Sequence, residues 1–287
     1  MSTFVNTLPY ISNPVEEFKD YTFVSREENI YPELCNGYFP EEEINFFTNI
    51  IQTKKLKKIL DLWIWSWQHL MNIFKQLKKN DYVLEMIEWN EVNTWFIQKS
   101  EKLFSQENID IKIHKWNRLD LPNSIPPYQW EDFDFAFLAG NSLTYVWWWS
   151  RLYTKLAQKS IINKFASLIK PGGYLFIDTR DYDYIKSLMM LHPEEIMKAY
   201  TFEKKVHHHW TDKKLTVFPA YISDAVVVLH YYNHENKTRW KQEYFPIYHN
   251  DIVETLSEKF EIEQIYSDYD VTPTQKCMLR QYLAKKK

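Results

Sequence analysis

The chain is poor in glycine, the residue that lets a backbone turn tightly or lie against a ligand. It has 287 residues but 4 glycines, whereas an average protein is roughly 7% glycine, about 20 residues for this length. Tryptophan, normally rare, occurs 12 times, and the two residue types together number 16. This sum is close to the usual number of glycines alone, which indicates that many tryptophans stand where glycine is expected.

The chain also lacks a cysteine framework, a strong charge imbalance and long apolar runs. Cys35 and Cys277 offer neither a disulfide framework nor metal-ligand spacing. A net charge of −3 does not favour a nucleic-acid or anionic-membrane partner. No apolar run has membrane-span length, and the N-terminal residues lack the pattern of a signal peptide. We therefore expect a cytoplasmic protein with one large domain, or one domain plus a sizeable insertion.

Hydrophobic periodicity predicts that strands and helices alternate over the first two thirds of the chain. Helices are predicted at 41–56, 68–79, 91–106 and 155–170. Short apolar runs predict strands at 57–62, 81–88, 109–114, 133–140 and 174–179. This alternation indicates an α/β fold with a doubly wound parallel sheet.

Beyond about residue 200 the pattern changes to the two-residue alternation of antiparallel strands. A helix at 250–260 and two strands, at 261–269 and 277–285, then complete the chain. The predicted domains are an N-terminal extension or cap (1–50), a core (51–199 and 247–287), and an antiparallel β insert or lid (200–246).

Polar residues follow the predicted parallel strands at their carboxyl ends. They are Asp61, Glu88, Asn117 and the segment AGNSLTY (139–145). Open α/β sheets bind ligands at this edge, and a carboxylate about 20 residues past the first loop suits the two hydroxyls of a ribose. Glu88 lies 21 residues after Trp67. One acid at a strand end is more often a helix cap or a solvated residue, so it is the order and spacing together that indicate a nucleoside-containing ligand.

This order resembles that of the class I S-adenosylmethionine-dependent methyltransferases over residues 55–180. Three segments further resemble the glycine and glycine/sarcosine N-methyltransferases: AGNSLTY (139–145), LIKPGGYLFIDTRDYDYI (168–185) and QEYFPIYHNDIVETL (242–256). The IDTRDYDYI part is the most specific of them, because methyltransferases in general share the PGG turn. The resemblance implies a Rossmann-like methyltransferase fold, with a mostly parallel seven-stranded sheet and an antiparallel β insert. It also implies S-adenosyl-L-methionine as cofactor and a small amine or amino acid, such as glycine or sarcosine, as acceptor.

The resemblance also implies roles for individual residues. Residues expected to contact the cofactor are Asp61, Trp63, Trp65 and Trp67 in the first loop, Glu88 and Trp89 near the ribose, Asn117 and Arg118 near the adenine, and Ala139, Gly140 and Ser142 near the methionine and sulfonium. Residues expected to bind the acceptor are Asn141, Arg180, Tyr31, Tyr182, Tyr231 and Tyr244. The Arg180 guanidinium would grip a substrate carboxylate; the alternative is an ion pair with Asp178 or Asp181. For any one of the 20 tyrosines, ordinary packing is the alternative. Methyl transfer to an amine needs positioning and desolvation, so no general base is predicted.

The stretch DLWIWSWQH (61–69) departs from that family, whose first loop is rich in small residues. With glycine for tryptophan, residues 61–67 would read DLGIGSG, and the same exchange gives IEGN at 87–90, KGN at 115–117 and GGGS at 147–150. Our hypothesis is that the gene comes from a lineage that reads UGA as glycine and was translated with a table that reads it as tryptophan. If the tryptophans are literal, three indoles fill the ligand's space, and the chain is a binding protein that has lost its cofactor.

Two further interpretations have less support in the sequence. A nucleotide-dependent oxidoreductase fits the predicted sheet, but the chain lacks its G-x-x-G spacing. His207, His208 and His209 suggest a metal site, but neighbouring residues of a strand point to opposite faces. We therefore expect surface histidines there and no metal.

Overall fold

The structure is a computed structural model that describes residues 41–62, 67–90, 94–114, 132–140, 142–144, 154–191, 215–224, 226–233, 239–270, 277 and 279–287. Its helices are α1 (Glu41–Thr53), α2 (Trp67–Lys79), α3 (Thr94–Gln106), α4 (Thr154–Leu168), α5 (Tyr182–Leu191) and α6 (His249–Ser257). Its strands are β1 (Lys58–Asp61), β2 (Met86–Asn90), β3 (Lys112–His114), β4 (Phe133–Leu138), β5 (Ile169–Arg180), β6 (Leu215–Ile222), β7 (Val227–Asn233), β8 (Arg239–Tyr244), β9 (Phe260–Ser267) and β10 (Leu279–Lys286). None of the helices in these ranges is long and apolar enough to cross a membrane.

The larger of two compact units, Pro40–Asp181 with Ile247–Lys287, contains a seven-stranded sheet. Its strand order is β3-β2-β1-β4-β5-β10-β9. The five strands β3-β2-β1-β4-β5 are parallel to one another, and β10 is antiparallel to both β5 and β9. The predicted doubly wound, mostly parallel sheet is confirmed. Strand order reverses between β1 and β4, and at such a switch point α/β sheets bind their ligands.

The second unit includes Tyr182–Pro246. Its strands β6, β7 and β8 form a three-stranded antiparallel sheet in chain order, inside the range where the sequence predicts an antiparallel insert. Helix α5, which begins at the first residue of Tyr182–Pro246, was not predicted. The predicted domain bounds stay a prediction, and His207–His209 lie outside the described residues.

The two faces of the larger sheet carry different cores. On one face, aliphatic residues of β4 and β5 pack with α4 and α6, as the buried cluster containing Leu138, Ile177, Phe165 and Ile252 shows. On the other, Phe47 of α1 lies with its ring centroid 5.1 Å from that of Phe137 and 4.9 Å from that of Phe176. Helix α1 therefore covers the face that carries Phe137 and Phe176.

The boundary between α4 and β5 differs from the prediction. The sequence predicts a helix to residue 170, but α4 ends at Leu168 and Ile169 already pairs with Phe133 of β4. Gly173 explains the sharp change of direction, because a Cβ there would lie 2.7 Å from the Ile169 side chain and 2.9 Å from the Asp134 carbonyl. Only glycine lets these two backbones approach so closely.

Strand β2 also begins and ends later than predicted. The sequence predicts a strand at 81–88, but β2 runs from Met86 to Asn90. Asp81 adopts φ 54°, which ends the preceding helix, and the Tyr82 hydroxyl donates to the Leu56 carbonyl at 2.9 Å. Residues 81 and 82 therefore belong to the connection between α2 and β2 and not to the strand. Glu88 is therefore the third of five strand residues and is not the last.

Candidate functional site

The first loop leaves β1 at the switch point. Asp61 is fully buried and pairs in register with Trp89 of β2 and Phe137 of β4. The Leu62 amide donates to the Phe137 carbonyl at 2.9 Å, and the Asn90 side chain lies 3.5 Å from the Leu62 carbonyl. Residues 63–66 lie outside the described ranges, and α2 begins at Trp67. Four residues therefore separate Leu62 from the start of α2.

Glu88 is buried beside two polar side chains from β3, those of His114 and Lys112. His114 Nε2 contacts one carboxylate oxygen, and Lys112 Nζ lies 3.5 Å from the other. Glu88 is 2% exposed, and β3 pairs with β2 so that Glu88 and Lys112 are in register. Two ribose hydroxyls at this carboxylate would therefore have to share its oxygens with His114 and Lys112.

Trp89 is the largest fully buried side chain in the described part of the chain. Its indole N–H has no hydrogen-bond partner among the described residues, a deficit that typically costs about 1–3 kcal/mol. Neither Trp89 nor Trp67 is among the described residues with positive φ. Left-handed backbone therefore gives no argument for glycine at these two positions, and at Trp89 the argument rests on the buried, unpartnered indole N–H.

The turn after β4 is held by contacts from β5 and α4. Gly140 adopts φ 72°, a left-handed conformation that favours glycine, and its amide donates to Asp178 Oδ2 at 2.9 Å. The Ser142 hydroxyl donates to the Ala139 carbonyl, and the Gln158 side-chain amide donates to the Leu143 carbonyl at 3.4 Å. Ala139 and Ser142 are buried. Asp178 thus fixes the small-residue turn that the resemblance places at the reacting methyl group.

Arg180 ends β5 and is 6% exposed. Asp181, one of the two carboxylates considered for it, is bound by another guanidinium: Arg280 Nε donates to Asp181 Oδ2 at 2.9 Å, and Nη2 contacts the same oxygen. Cys277 Sγ lies 3.4 Å from Asp181 Oδ2. Burial, followed by the charge of Asp181, raises the pKa of the Cys277 thiol to about 12. Cys277 is therefore a protonated packing residue.

The structure places several of the predicted residues at or beside the carboxyl ends of β1, β2, β4 and β5: Asp61, Glu88, Trp89, Ala139, Gly140, Ser142 and Arg180. Tyr182, the buried first residue of α5, and Tyr244, the last residue of β8, belong to the smaller unit. The predicted residues outside the described ranges are Tyr31, Trp63, Trp65, Asn117, Arg118 and Asn141, together with the side chains of Trp67, Tyr231 and Tyr244. Trp67, predicted to lie in the first loop, is the first residue of α2. The roles of all these residues stay predictions.

The sequence did not predict a buried polar cluster behind the site, which we call the Glu43 cluster: Glu43, His69, Asp178 and Tyr269. Glu43 is fully buried, and its Oε1 lies 3.5 Å from His69 Nε2. Burial, followed by the negative charge of Asp178, raises the pKa of Glu43 to about 8, against a smaller opposing effect of the Tyr269 hydroxyl. The only sequence signal was the acidic first turn of α1, which also suits the helix dipole.

No protein-family model matches the sequence, and no curated protein matches it either. Among solved structures, the chain is similar to an S-adenosylmethionine-dependent methyltransferase from Clostridium acetobutylicum, with 13% identity, a TM-score of 0.60 and coverage of 91% of this chain and 98% of that one. It is similar to the PH0226 protein of Pyrococcus horikoshii, with 11% identity, a TM-score of 0.57 and coverage of 91% and 98%. It is also similar to the CcbJ methyltransferase of Streptomyces caelestis, with 10% identity, a TM-score of 0.54 and coverage of 87% and 97%. The chain therefore has the Rossmann-like fold found in S-adenosylmethionine-dependent methyltransferases.

Proposed function

We propose that this chain is a methyltransferase that takes its methyl group from S-adenosyl-L-methionine. One observation carries the proposal: three candidate features lie on adjacent strands at the switch point of a sheet with this fold. The first loop follows β1, Glu88 lies in β2 and the Gly140 turn follows β4. Glu88 supplies acceptor oxygens at the ribose position. The Gly140 turn, free of bulky side chains at Ala139 and Gly140, lets a ligand approach the backbone closely.

The proposed acceptor is the amine of a small amino acid such as glycine or sarcosine. A guanidinium recognises a carboxylate through two parallel hydrogen bonds, and Arg180 stands at the carboxyl end of β5, next along the sheet from the Gly140 turn. When bound, the cofactor supplies a methyl group on a positively charged sulfur. With the acceptor held by Arg180, its amine nitrogen would take up this methyl group and give up a proton to solvent, and the sulfur would be left as a neutral thioether. The chain's contribution is to orient the acceptor and exclude water.

Trp63, Trp65 and Trp67 do not fit this cofactor as written, and we propose that these three residues are glycines in the natural protein. The loop has four residues between Leu62 and the start of α2, and Leu62 is held to β4 by its amide. The buried indole N–H of Trp89, without a described partner, supports the same exchange at a second site. The alternative function is a methyltransferase-fold binding protein with no cofactor, if the tryptophans are literal.

The remaining proposals rest on composition and pattern alone. They are a cytoplasmic location, small-molecule partners without nucleic acid or membrane, and a core of residues 51–199 and 247–287 with an insert at 200–246.

A panel of acceptors tests the proposed reaction. Methyl transfer from labelled S-adenosylmethionine should occur with glycine or sarcosine and not with methylamine, which has no carboxylate for Arg180. The protein should be the chain as its own host makes it, so that the loop residues are the natural ones. If methylamine serves as well as glycine, the amino-acid acceptor is wrong; if no amine is methylated and the cofactor does not bind, the methyltransferase proposal fails.

Glu88→Ala should weaken S-adenosylmethionine binding roughly 10- to 100-fold, because two charge-assisted hydrogen bonds to the ribose are lost. Isothermal titration calorimetry measures the change. Glu85→Ala is the matched control, since Glu85 is exposed and lies just before β2. Equal affinity of the Glu88→Ala protein and its parent, with both folded, would mean that Glu88 serves only His114 and Lys112.

A further inference from the structure

Glu43 occupies an unusual place for an acid. It lies in the first turn of α1 beside Glu42, yet Glu42 is exposed and Glu43 is fully buried. Its Oε1 lies 3.5 Å from Nε2 of His69, which is itself 3% exposed. The His69 ring packs edge-on against Phe47, with centroids 5.1 Å apart. Both members of the pair are therefore enclosed by apolar rings and helix α1.

His69 connects this pair to the first loop. It is the third residue of α2, and α2 begins directly after residues 63–66. Anchoring His69 therefore fixes the point at which the first loop must end. Leu62 fixes the other end of the loop through its hydrogen bond to Phe137.

Asp178 connects the Glu43 cluster to the second backbone segment of the candidate site. Its Oδ2 accepts the Gly140 amide at 2.9 Å, and its charge acts on Glu43. Side chains alternate along β5, so Asp178 shares a face with Phe176, whose ring contacts Phe47 of α1. Asp178, which anchors the Gly140 turn, therefore lies on the sheet face that α1 covers, and Glu43 of α1 contacts His69 of α2.

Tyr269 closes the cluster from the turn between β9 and β10. Its backbone adopts φ 68°, and its amide lies 3.3 Å from Gln281 Oε1. Its phenol oxygen is buried. Burial, followed by the charges of Glu43 and Asp178, raises the pKa of the phenol, so it stays protonated beside the two acids.

Two carboxylates in one enclosed volume cannot both be charged without a large desolvation and repulsion cost. The groups that face Glu43 are His69 from α2, Asp178 from β5 and Tyr269 from the β9–β10 turn. Asp268 adds a further negative charge near Tyr269. Because burial and Asp178 raise the pKa of Glu43 to about 8, Glu43 keeps a proton at neutral pH.

We propose that Glu43 is a positioning residue of the candidate cofactor site. Through His69 it fixes the first turn of α2, and through Asp178 it fixes the Gly140 turn, so that the two segments keep one position relative to each other. Its expected effect on cofactor binding rests on the proposed function. Glu43 does not touch the ligand; it acts through His69 and Asp178. Glutamine keeps the shape and neutrality of the protonated acid, whereas alanine removes the link.

The first test follows urea unfolding midpoints from about pH 5 to about pH 9. The pKa of Glu43 is raised from 4.5 to about 8 on folding. The folded state therefore binds more protons than the unfolded state between these values, and stability falls as pH rises through that window. Glu43→Gln lacks this dependence, so its midpoint should rise relative to the parent as pH increases and should level off above about pH 8. Glu42→Gln, the exposed neighbour, should follow the parent.

The second test measures the affinity for S-adenosylhomocysteine by calorimetry, with the chain as its own host makes it. Glu43→Gln should bind within about 3-fold of the parent at neutral pH, and Glu43→Ala should bind at least about 10-fold more weakly. Above about pH 8 the parent should lose affinity while Glu43→Gln keeps it. Equal affinity of the parent and a folded Glu43→Ala protein, or parallel pH curves for the parent and Glu43→Gln, would overturn the positioning role. A parent that binds no S-adenosylhomocysteine at any pH would instead refute the proposed function.

Discussion

Replacing Trp63, Trp65 and Trp67 together by glycine should turn a chain that does not bind S-adenosylmethionine into one that does. Under the recoding hypothesis each indole would take up space that a ligand needs, and overpacking costs typically about 1–3 kcal/mol per site. Three such sites in one loop correspond to roughly a hundredfold to a millionfold loss of affinity. Isothermal titration calorimetry on the two proteins measures the difference, with Trp240→Gly in strand β8 of the smaller unit as the control.

The protein from its natural host shows directly which residues stand at the tryptophan positions. Peptide mass spectrometry should find glycine at most of positions 63, 65, 67, 89, 116 and 147–149, and the gene should carry UGA codons there. Tryptophan at all three loop positions of the host protein would end the recoding hypothesis. Tight cofactor binding by the tryptophan chain would also contradict it, because the indoles would then not block the site.

Arg180→Lys should lower kcat/KM for the amino-acid acceptor by roughly 100-fold and leave cofactor affinity within about 2-fold. Lysine keeps the positive charge but loses the planar pair of N–H donors that matches a carboxylate. Steady-state methyl transfer and calorimetry on the same preparations separate the two effects.

Arg280→Lys is the matched control for this substitution. Arg280 is the β10 residue paired with Thr179 of β5, and its guanidinium is engaged by Asp181. Its replacement should not change kcat/KM for the acceptor as Arg180→Lys does. A silent Arg180→Lys substitution, or equal losses for the two arginines, would show that Arg180 is a structural residue of the strand end.

The elements that were predicted well are those with a strong local signal. Strand β4 is buried at every residue, and a short run that is apolar except for Asp134 predicts such a strand. The boundaries of helices and strands were predicted wrongly where contacts with residues distant in the chain determine them. Gly173 must accommodate the Asp134 carbonyl, and Tyr82 reaches the Leu56 carbonyl; neither partner is visible in a local pattern.

The residues of the candidate site also differ in whether a local pattern in the sequence could indicate them. Asp61, Glu88 and the Gly140 turn could be chosen as candidates because they lie in or just after apolar runs at a regular spacing, and parallel strands bring such residues to one edge. The partners of these residues were not found. His114 and Lys112 contact Glu88 only through the register of β2 and β3, and Asp178 reaches Gly140 only because β4 and β5 are neighbours.

By itself the sequence determined the alternation of strands and helices, because this pattern depends on residues close together in the chain. It also predicted the ligand-binding edge of the sheet and the misfit of three indoles near the first loop, and these two stay predictions. Only the tertiary structure decided that Glu43 is buried while Glu42 is exposed. The two acids are adjacent in one helical turn, and their local sequence is equally charged. What separates them is that the packing of α1 places one carboxyl beside His69 and Asp178, where burial and a second carboxylate make a proton on Glu43 the less costly state.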